Sequence, residues 1–194
     1  MLRRHGPRRC EALSLVELLI AVSVAAIILA LGVPSMAHWM HAIEVHNSAS
    51  DLVAVLQLAR SEAITRNQDM RVTLGDAQGR TVWKLGCVTV TASCPRSLRV
   101  MDAATRPARW GASSSTSAPA LTAPLAAGLR MPASVTFNAY GAAPATGSGS
   151  EVNRIDVLHV ADTTVQRLVV MLSASGMVRL CNPMIAAGEP QSCN

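Results

Sequence analysis

Hydrophobic residues crowd the N-terminal third of the chain and thin afterwards into short runs. From Leu13 to Val33, 21 residues carry a single ionisable group, Glu17. Coiled as a helix they span roughly 31 Å, about the thickness of a bilayer's hydrocarbon core. Pro34 follows, and the pattern then becomes periodic. Met36, Met40 and Ile43 lead towards Leu52, Leu56, Ala59 and Ala63, which recur at i, i+4, i+7 and i+11, with Asp51, Gln57, Ser61 and Glu62 off the stripe. One long helix is predicted, bare at first, amphipathic further on and ending near Arg66-Asn67.

From Asp69 onward short β-rich runs alternate with turn residues. They predict strands over Met70–Leu74, Thr81–Leu85, Cys87–Thr91, Leu98–Met101, Val135–Asn138, Arg154–Val160, Arg167–Leu172 and Val178–Cys181. Gly75–Gly79 and Ser175-Gly176 are expected hairpin turns. Residues 105–128, rich in Ala, Ser, Thr and Pro without periodicity, are expected to form a long flexible loop, and Gly141–Ser150 a second one. A helix followed by an antiparallel β-sheet is the α+β pattern.

Composition sharpens this picture. Of 194 residues half are hydrophobic and 15% charged, which excludes a disordered polyelectrolyte. The formal charge is 17 − 12 = +5, but Arg3, Arg4, Arg8 and Arg9 stand against Glu11 in the first twelve residues. The remainder holds 13 basic and 11 acidic side chains, so a strongly basic nucleic-acid surface is not implied. Cys10 lies in the basic head, while Cys87, Cys94, Cys181 and Cys193 form two closely spaced pairs. Their spacing lacks the tight Cys-x2-Cys knuckle of zinc sites and favours disulfides, hence an oxidising compartment. Four cysteines allow three connectivities; local pairing, Cys87–Cys94 and Cys181–Cys193, closes the shortest loops and is expected.

The basic head predicts a cytoplasmic N-terminus with the rest of the chain outside. A cleaved secretory signal ending at Ser35-Met36-Ala37 is one reading, and an uncut anchor is another. Glu17 points to a third. A carboxylate at membrane depth costs about 2.5–3.5 kcal/mol. A cut between Ala12 and Leu13 would create an α-ammonium four residues before it, able to pair with Glu17 of the same helix or of a neighbour.

Ala12-Leu13-Ser14-Leu15-Val16-Glu17-Leu18-Leu19 resembles the prepilin peptidase motif of type IV pilins and pseudopilins, with Ala12 where Gly is usual and Leu13 where Phe is usual. Pro34 matches the family's helix-kinking proline. Leu58-Ala59-Arg60-Ser61-Glu62-Ala63-Ile64-Thr65-Arg66-Asn67, followed by Met70–Leu74, resembles the helix-to-strand junction of the GspH/FimT-type minor pseudopilins. Val135–Gly141 and Ser175–Cys181 resemble the same family. The resemblance implies a leader over 1–12, a transmembrane and assembly helix over 13–35, its amphipathic continuation over 36–67, and a periplasmic β-sheet domain over 68–194. It further implies a non-catalytic subunit of a type II secretion pseudopilus or a type IV pilus, anchored once in the bacterial inner membrane. Its partners would be prepilin peptidase, other pilin or pseudopilin subunits and the inner-membrane assembly platform. Glu17 would pair with the new amine of an adjacent subunit.

Other chemistry is sparse. No His-Glu-x-x-His, Gly-x-Ser-x-Gly or Walker loop is present, and no cofactor is expected. His38, His41 and His46 line up loosely on the helix with only Glu44 near them, and His159 falls in a predicted strand, so no metal site is expected. DNA is an alternative partner, because some FimT-type members bind it through Gly-Arg-x-Arg. Here the matching positions are Gly176-Met177-Val178-Arg179, which leaves Arg179 alone for a phosphate contact. Arg96, Arg99, Arg106, Arg109 and Arg130 could form another basic surface, but they are spread over an expected mobile region and are read as solvated charges. An ordinary secreted, disulfide-bonded domain is the remaining alternative.

Overall fold

A computed structural model describes residues 14–77, 80–101, 108–113, 132–144, 152–186 and 188–193. The chain divides into two compact units, Met1–Trp39 and Met40–Asn194. Helix α1 runs from Leu15 to Arg66, 52 residues, and contributes to both. It is the one helix among the described residues long and apolar enough to cross a membrane.

In the first unit the large apolar side chains of α1 between Leu15 and Leu29 are 49–75% exposed. In the second unit the helix buries Val45, Ser48, Ala49, Leu52, Val55, Leu56, Ala59 and Ala63. The expected continuation of this stripe through Met36, Met40 and Ile43 does not hold, since these are 63%, 54% and 37% exposed. At 3.6 residues per turn Ile43 lies about 180° from Leu52, so it cannot share a face with it. The buried stripe begins at Val45.

The helix ends where Asn67 adopts φ +51°. Asn67 N–H donates to Ile64 O (3.2 Å) and Gln68 N–H to Ala63 O (3.1 Å). These are the two bonds of a Schellman cap, in which the left-handed residue reverses the chain and satisfies the last carbonyls.

Among the described residues eight strands follow: β1 (Met70–Ala77), β2 (Arg80–Cys87), β3 (Arg99–Met101), β4 (Ala108–Ser113), β5 (Ala133–Phe137), β6 (Arg154–His159), β7 (Leu168–Leu172) and β8 (Val178–Cys181). They form two antiparallel four-stranded sheets, β3-β2-β1-β5 and β4-β6-β7-β8. The chain is therefore α+β, a long N-terminal helix packed on antiparallel sheet. Met70, Val72 and Leu74 are buried while Arg71 and Thr73 are exposed, the period-2 alternation of a strand with one face on the core. Val45, Leu52, Leu56, Met70, Val72, Trp110, Phe137, Ile155 and Val157 belong to one core cluster fed by α1 and both sheets.

Two expectations change. Residues 105–128 are not one loop: Ala108–Ser113 is β4, an edge strand paired with β6 from Ala108↔His159 to Ser113↔Arg154. Trp110 decides this, because it is buried and donates its indole Nε1–H to Ser48 Oγ on α1 at 2.9 Å. Residues 114–128 lie outside the described set, as do 105–107 and 145–150. Cys87–Thr91 is not a strand either. The chain leaves β2 at Cys87, and Thr91 and Cys94 meet in an isolated bridge. Disulfides join Cys87 to Cys94 (Cα–Cα 5.8 Å) and Cys181 to Cys193 (Cα–Cα 5.0 Å).

Candidate functional site

In the first unit Ser14 precedes the first helical residue and its Oγ accepts the Glu17 N–H at 3.2 Å. Ser14-x-x-Glu17 has the spacing of a capping box and this bond is its serine half, a second reason for an acid at this position that the sequence reading missed although the spacing is plain. Glu17 also lies in the first turn of α1, where the helix dipole favours a negative charge. Ser23, the polar residue inside the apolar run, donates its hydroxyl to Leu19 O at 2.7 Å, which satisfies it without water. Ala12 and Leu13 lie outside the described residues, and Pro34 falls within α1.

In the second unit, three separate sequence segments meet. Gly141 (φ +76°) closes the turn after β5, and Gly176 (φ +79°) the turn between β7 and β8. A Cβ on Gly176 would stand 2.0 Å from Gly141 O, and one on Gly141 would stand 2.7 Å from the Ile64 side chain on α1. Both left-handed backbone and close approach demand glycine here. Arg60 Nε–H donates to Gly141 O at 3.0 Å, clamping helix to turn. Arg60 therefore reaches into the fold instead of standing on a solvated face. Of the expected flexible stretch from Gly141, the first residues are tied down: Ala142 N–H donates to Asn138 Oδ1 and Ala143 N–H to Ala174 O, each at 3.0 Å. Beside this junction Arg66 Nε–H donates to Glu62 Oε2 at 2.6 Å, and Arg66 Nη1–H to Ser93 O at 2.8 Å.

A second constellation joins α1 to β6. Ligand atoms of His41, Glu44 and His159 lie within 4.8 Å of one another. The rings of His41 and His159 stack with centroids 4.0 Å apart and 21° between planes. His159 Nδ1 accepts the N–H of Asp162 (2.9 Å) and of Ala161 (3.3 Å). That nitrogen is therefore unprotonated, and the neutral ring carries its proton on Nε2, which donates to Glu44 Oε2 at 3.0 Å. A metal on Nε2 would force the proton onto Nδ1, against two N–H donors. The arrangement suits a hydrogen-bonded tie better than a metal centre. Asp162 Oδ2 takes the other side, 3.1 Å from His41 Nδ1. Sequence spacing grouped His41 with His38 and His46. The fold instead brings in His159, 115 residues beyond Glu44, while His46 Nδ1 lies 3.5 Å from Ser50 Oγ.

Asp156 on β6 is buried beside two arginines, with Arg154 Nε–H donating to Oδ2 at 3.0 Å and Arg167 Nη1 3.7 Å from Oδ1. Burial raises its carboxyl above the ordinary 3.8, and Arg154 and then Arg167 pull the other way without offsetting it. Arg179 is exposed on β8, opposite Met171. Arg96, Arg99 and Arg109 are exposed as well but fall on different elements, while Arg106 and Arg130 lie outside the described residues.

The family model described as type II transport protein GspH matches residues 48–176, about two thirds of the chain. The chain belongs to the GspH family. Two solved structures of similar fold are the type IV minor pilin FimU of Pseudomonas aeruginosa and the minor pseudopilin EpsH of the Vibrio cholerae type 2 secretion system. FimU is 21% identical over 78% of this chain and 96% of its own, with a TM-score of 0.49. EpsH is 14% identical over 73% of this chain and 99% of its own, with a TM-score of 0.46. No curated protein matches. The GspH match contains the Arg60–Gly141–Gly176 junction and ends at Gly176. Glu17, His41, Glu44, Arg179 and the second disulfide lie outside it.

Proposed function

We propose that this GspH-family chain is a minor pilin-like subunit, cut by prepilin peptidase between Ala12 and Leu13 and taking part in assembly of a type II secretion pseudopilus or a type IV pilus. One observation carries the reading: the apolar side chains of α1 from Leu15 to Leu29 are half to three-quarters exposed. So large an apolar surface is unstable in water and requires a cover. Inner-membrane lipid is the first cover, with the second unit in the periplasm and the N-terminus in the cytoplasm. Neighbouring subunit helices are the second, once the assembly platform draws the chain out of the bilayer. Glu17 then pairs with the α-ammonium of an adjacent subunit and sets axial register, and Pro34 bends the helix where it leaves the membrane.

The test is Glu17→Ala with Glu17→Gln, the latter keeping side-chain volume and hydrogen bonding at N3. Both variants are expected to insert into membranes, be cleaved and fold, yet to enter fibres several-fold less than the parent. Normal incorporation of both would reject the pairing role. Mass spectrometry of the mature chain is expected to show Leu13 at the N-terminus. A start at His38 would assign an ordinary secreted domain instead.

A further inference from the structure

The outer face of the β3-β2-β1-β5 sheet carries a feature that the proposed function does not use. A cleft of about 440 Å³ is lined by Arg71, Thr73, Lys84, Gly86, Cys87, Val88 and Arg96. It holds three cations, and among the described residues no carboxylate lines it. In the β1–β2 register Arg71 faces Gly86 and Thr73 faces Lys84, so the first two cations share one face as diagonal neighbours. Like charges so placed repel, and among the described residues no acid is paired with Arg71, Lys84 or Arg96.

One wall of the cleft is tied in place by a disulfide and backbone hydrogen bonds. The chain after the Cys87–Cys94 disulfide folds back over β2, where Cys87 N–H donates to Pro95 O (3.1 Å) and Leu98 N–H to Leu85 O (2.8 Å). It presses so closely that a Cβ on Gly86 would stand 1.9 Å from Arg96 O. Glycine at 86 is therefore what lets this wall form and carry Arg96 to the face of Arg71 and Lys84. On the opposite side Thr136 Oγ1 accepts Arg71 Nε–H at 3.2 Å, which aims the guanidinium, and among the described residues its two terminal nitrogens have no partner. An oriented guanidinium with free terminal donors matches a planar oxyanion.

We infer that this cleft is a docking site for carboxylate side chains on an acidic segment of another fibre subunit. The identity of the partner rests on the proposed function; the chemistry rests on the cleft. Three unit charges gathered in one cleft fit the carboxylates of a short acidic segment. A nucleic-acid backbone engaged through only three phosphates is held weakly at physiological salt, and a specific duplex interface covers far more surface than this cleft offers.

Full-length chain in neutral detergent, titrated calorimetrically with hexaglutamate, inorganic phosphate and a single-stranded dodecanucleotide, tests the assignment. Hexaglutamate is expected to bind, more weakly as salt rises, and to lose about tenfold or more in affinity in both Arg71→Gln/Lys84→Gln and Lys84→Gln/Arg96→Gln. Thermal melts show whether each variant is folded. Affinity unchanged in either folded variant, no hexaglutamate binding, or tighter binding of phosphate or the oligonucleotide would each overturn it. Loss of cleavage after Ala12 with hexaglutamate binding intact would sink the proposed function and leave the cleft standing, and the reverse result would do the opposite.

Discussion

Leu19 and Leu56 belong to the same helix and carry the same side chain, yet Leu19 is 57% exposed and Leu56 fully buried. The first lies in a stretch whose apolar residues cover every side of the helix. The second lies on a stripe that faces two sheets. Hydrophobicity alone thus says that a residue must be covered; the distribution around the helix says whether the chain covers it itself or leaves that to lipid and neighbours.

The sharpest test substitutes both. Leu56→Ala is expected to destabilise the second unit by about 2–5 kcal/mol in denaturant unfolding, because a fully enclosed site cannot collapse onto the void. Leu19→Ala should change the same transition by no more than about 0.5 kcal/mol. Equal effects would erase the distinction between the two stretches.

The polar residue in the packed stripe comes next. Ser48→Ala leaves the buried Trp110 indole N–H without its acceptor and is expected to cost about 1–3 kcal/mol. The comparison is Ser23→Ala, which removes only a local bond to Leu19 O and should barely register in the same experiment.

Asp156 offers a pH-dependent contrast within the packed unit. Its folded-state carboxyl is raised above 3.8 by burial, so between those values the folded chain binds the proton more tightly than the unfolded chain. The group's contribution to stability is then largest at low pH and falls as pH rises through the raised value. Stability of the parent relative to Asp156→Asn is expected to decline as pH climbs above 3.8, followed by thermal or denaturant melts. A rising difference would reverse the assignment of burial as the dominant cause.

The smallest effect belongs to the half-exposed pair on α1. Glu62→Gln removes the negative charge facing Arg66 and should cost about 0.3–0.5 kcal/mol, diminishing in high salt. Measured against Leu56→Ala, it separates solvent-screened from enclosed interactions on one helix.

The long helix, its end at Arg66 and seven of the eight strands were readable because each depends on short-range pattern: an unbroken apolar run, a 3.6-residue period or alternation bounded by turn residues. β4 was not. Ala108-Arg109-Trp110-Gly111-Ala112-Ser113 has the small and polar residues of a loop, and becomes a strand because Trp110 finds Ser48 and β6 offers a free edge. The orientation of Met36, Met40 and Ile43 differs because they repeat at helical spacing among themselves but lie out of phase with Leu52 and Leu56 at 3.6 residues per turn.

Local order therefore carried the membrane-length apolar segment, the Ser14–Glu17 box, the α+β division and the glycines of two turns, each of which is governed by neighbours within a few residues. Tertiary structure alone decided which residues distant in sequence meet: His41 with His159, Gly141 with Gly176, and Arg96 with Arg71 and Lys84. The physical reason is that a side chain's own chemistry limits what it can bind, while the path of the backbone determines which partners come within reach.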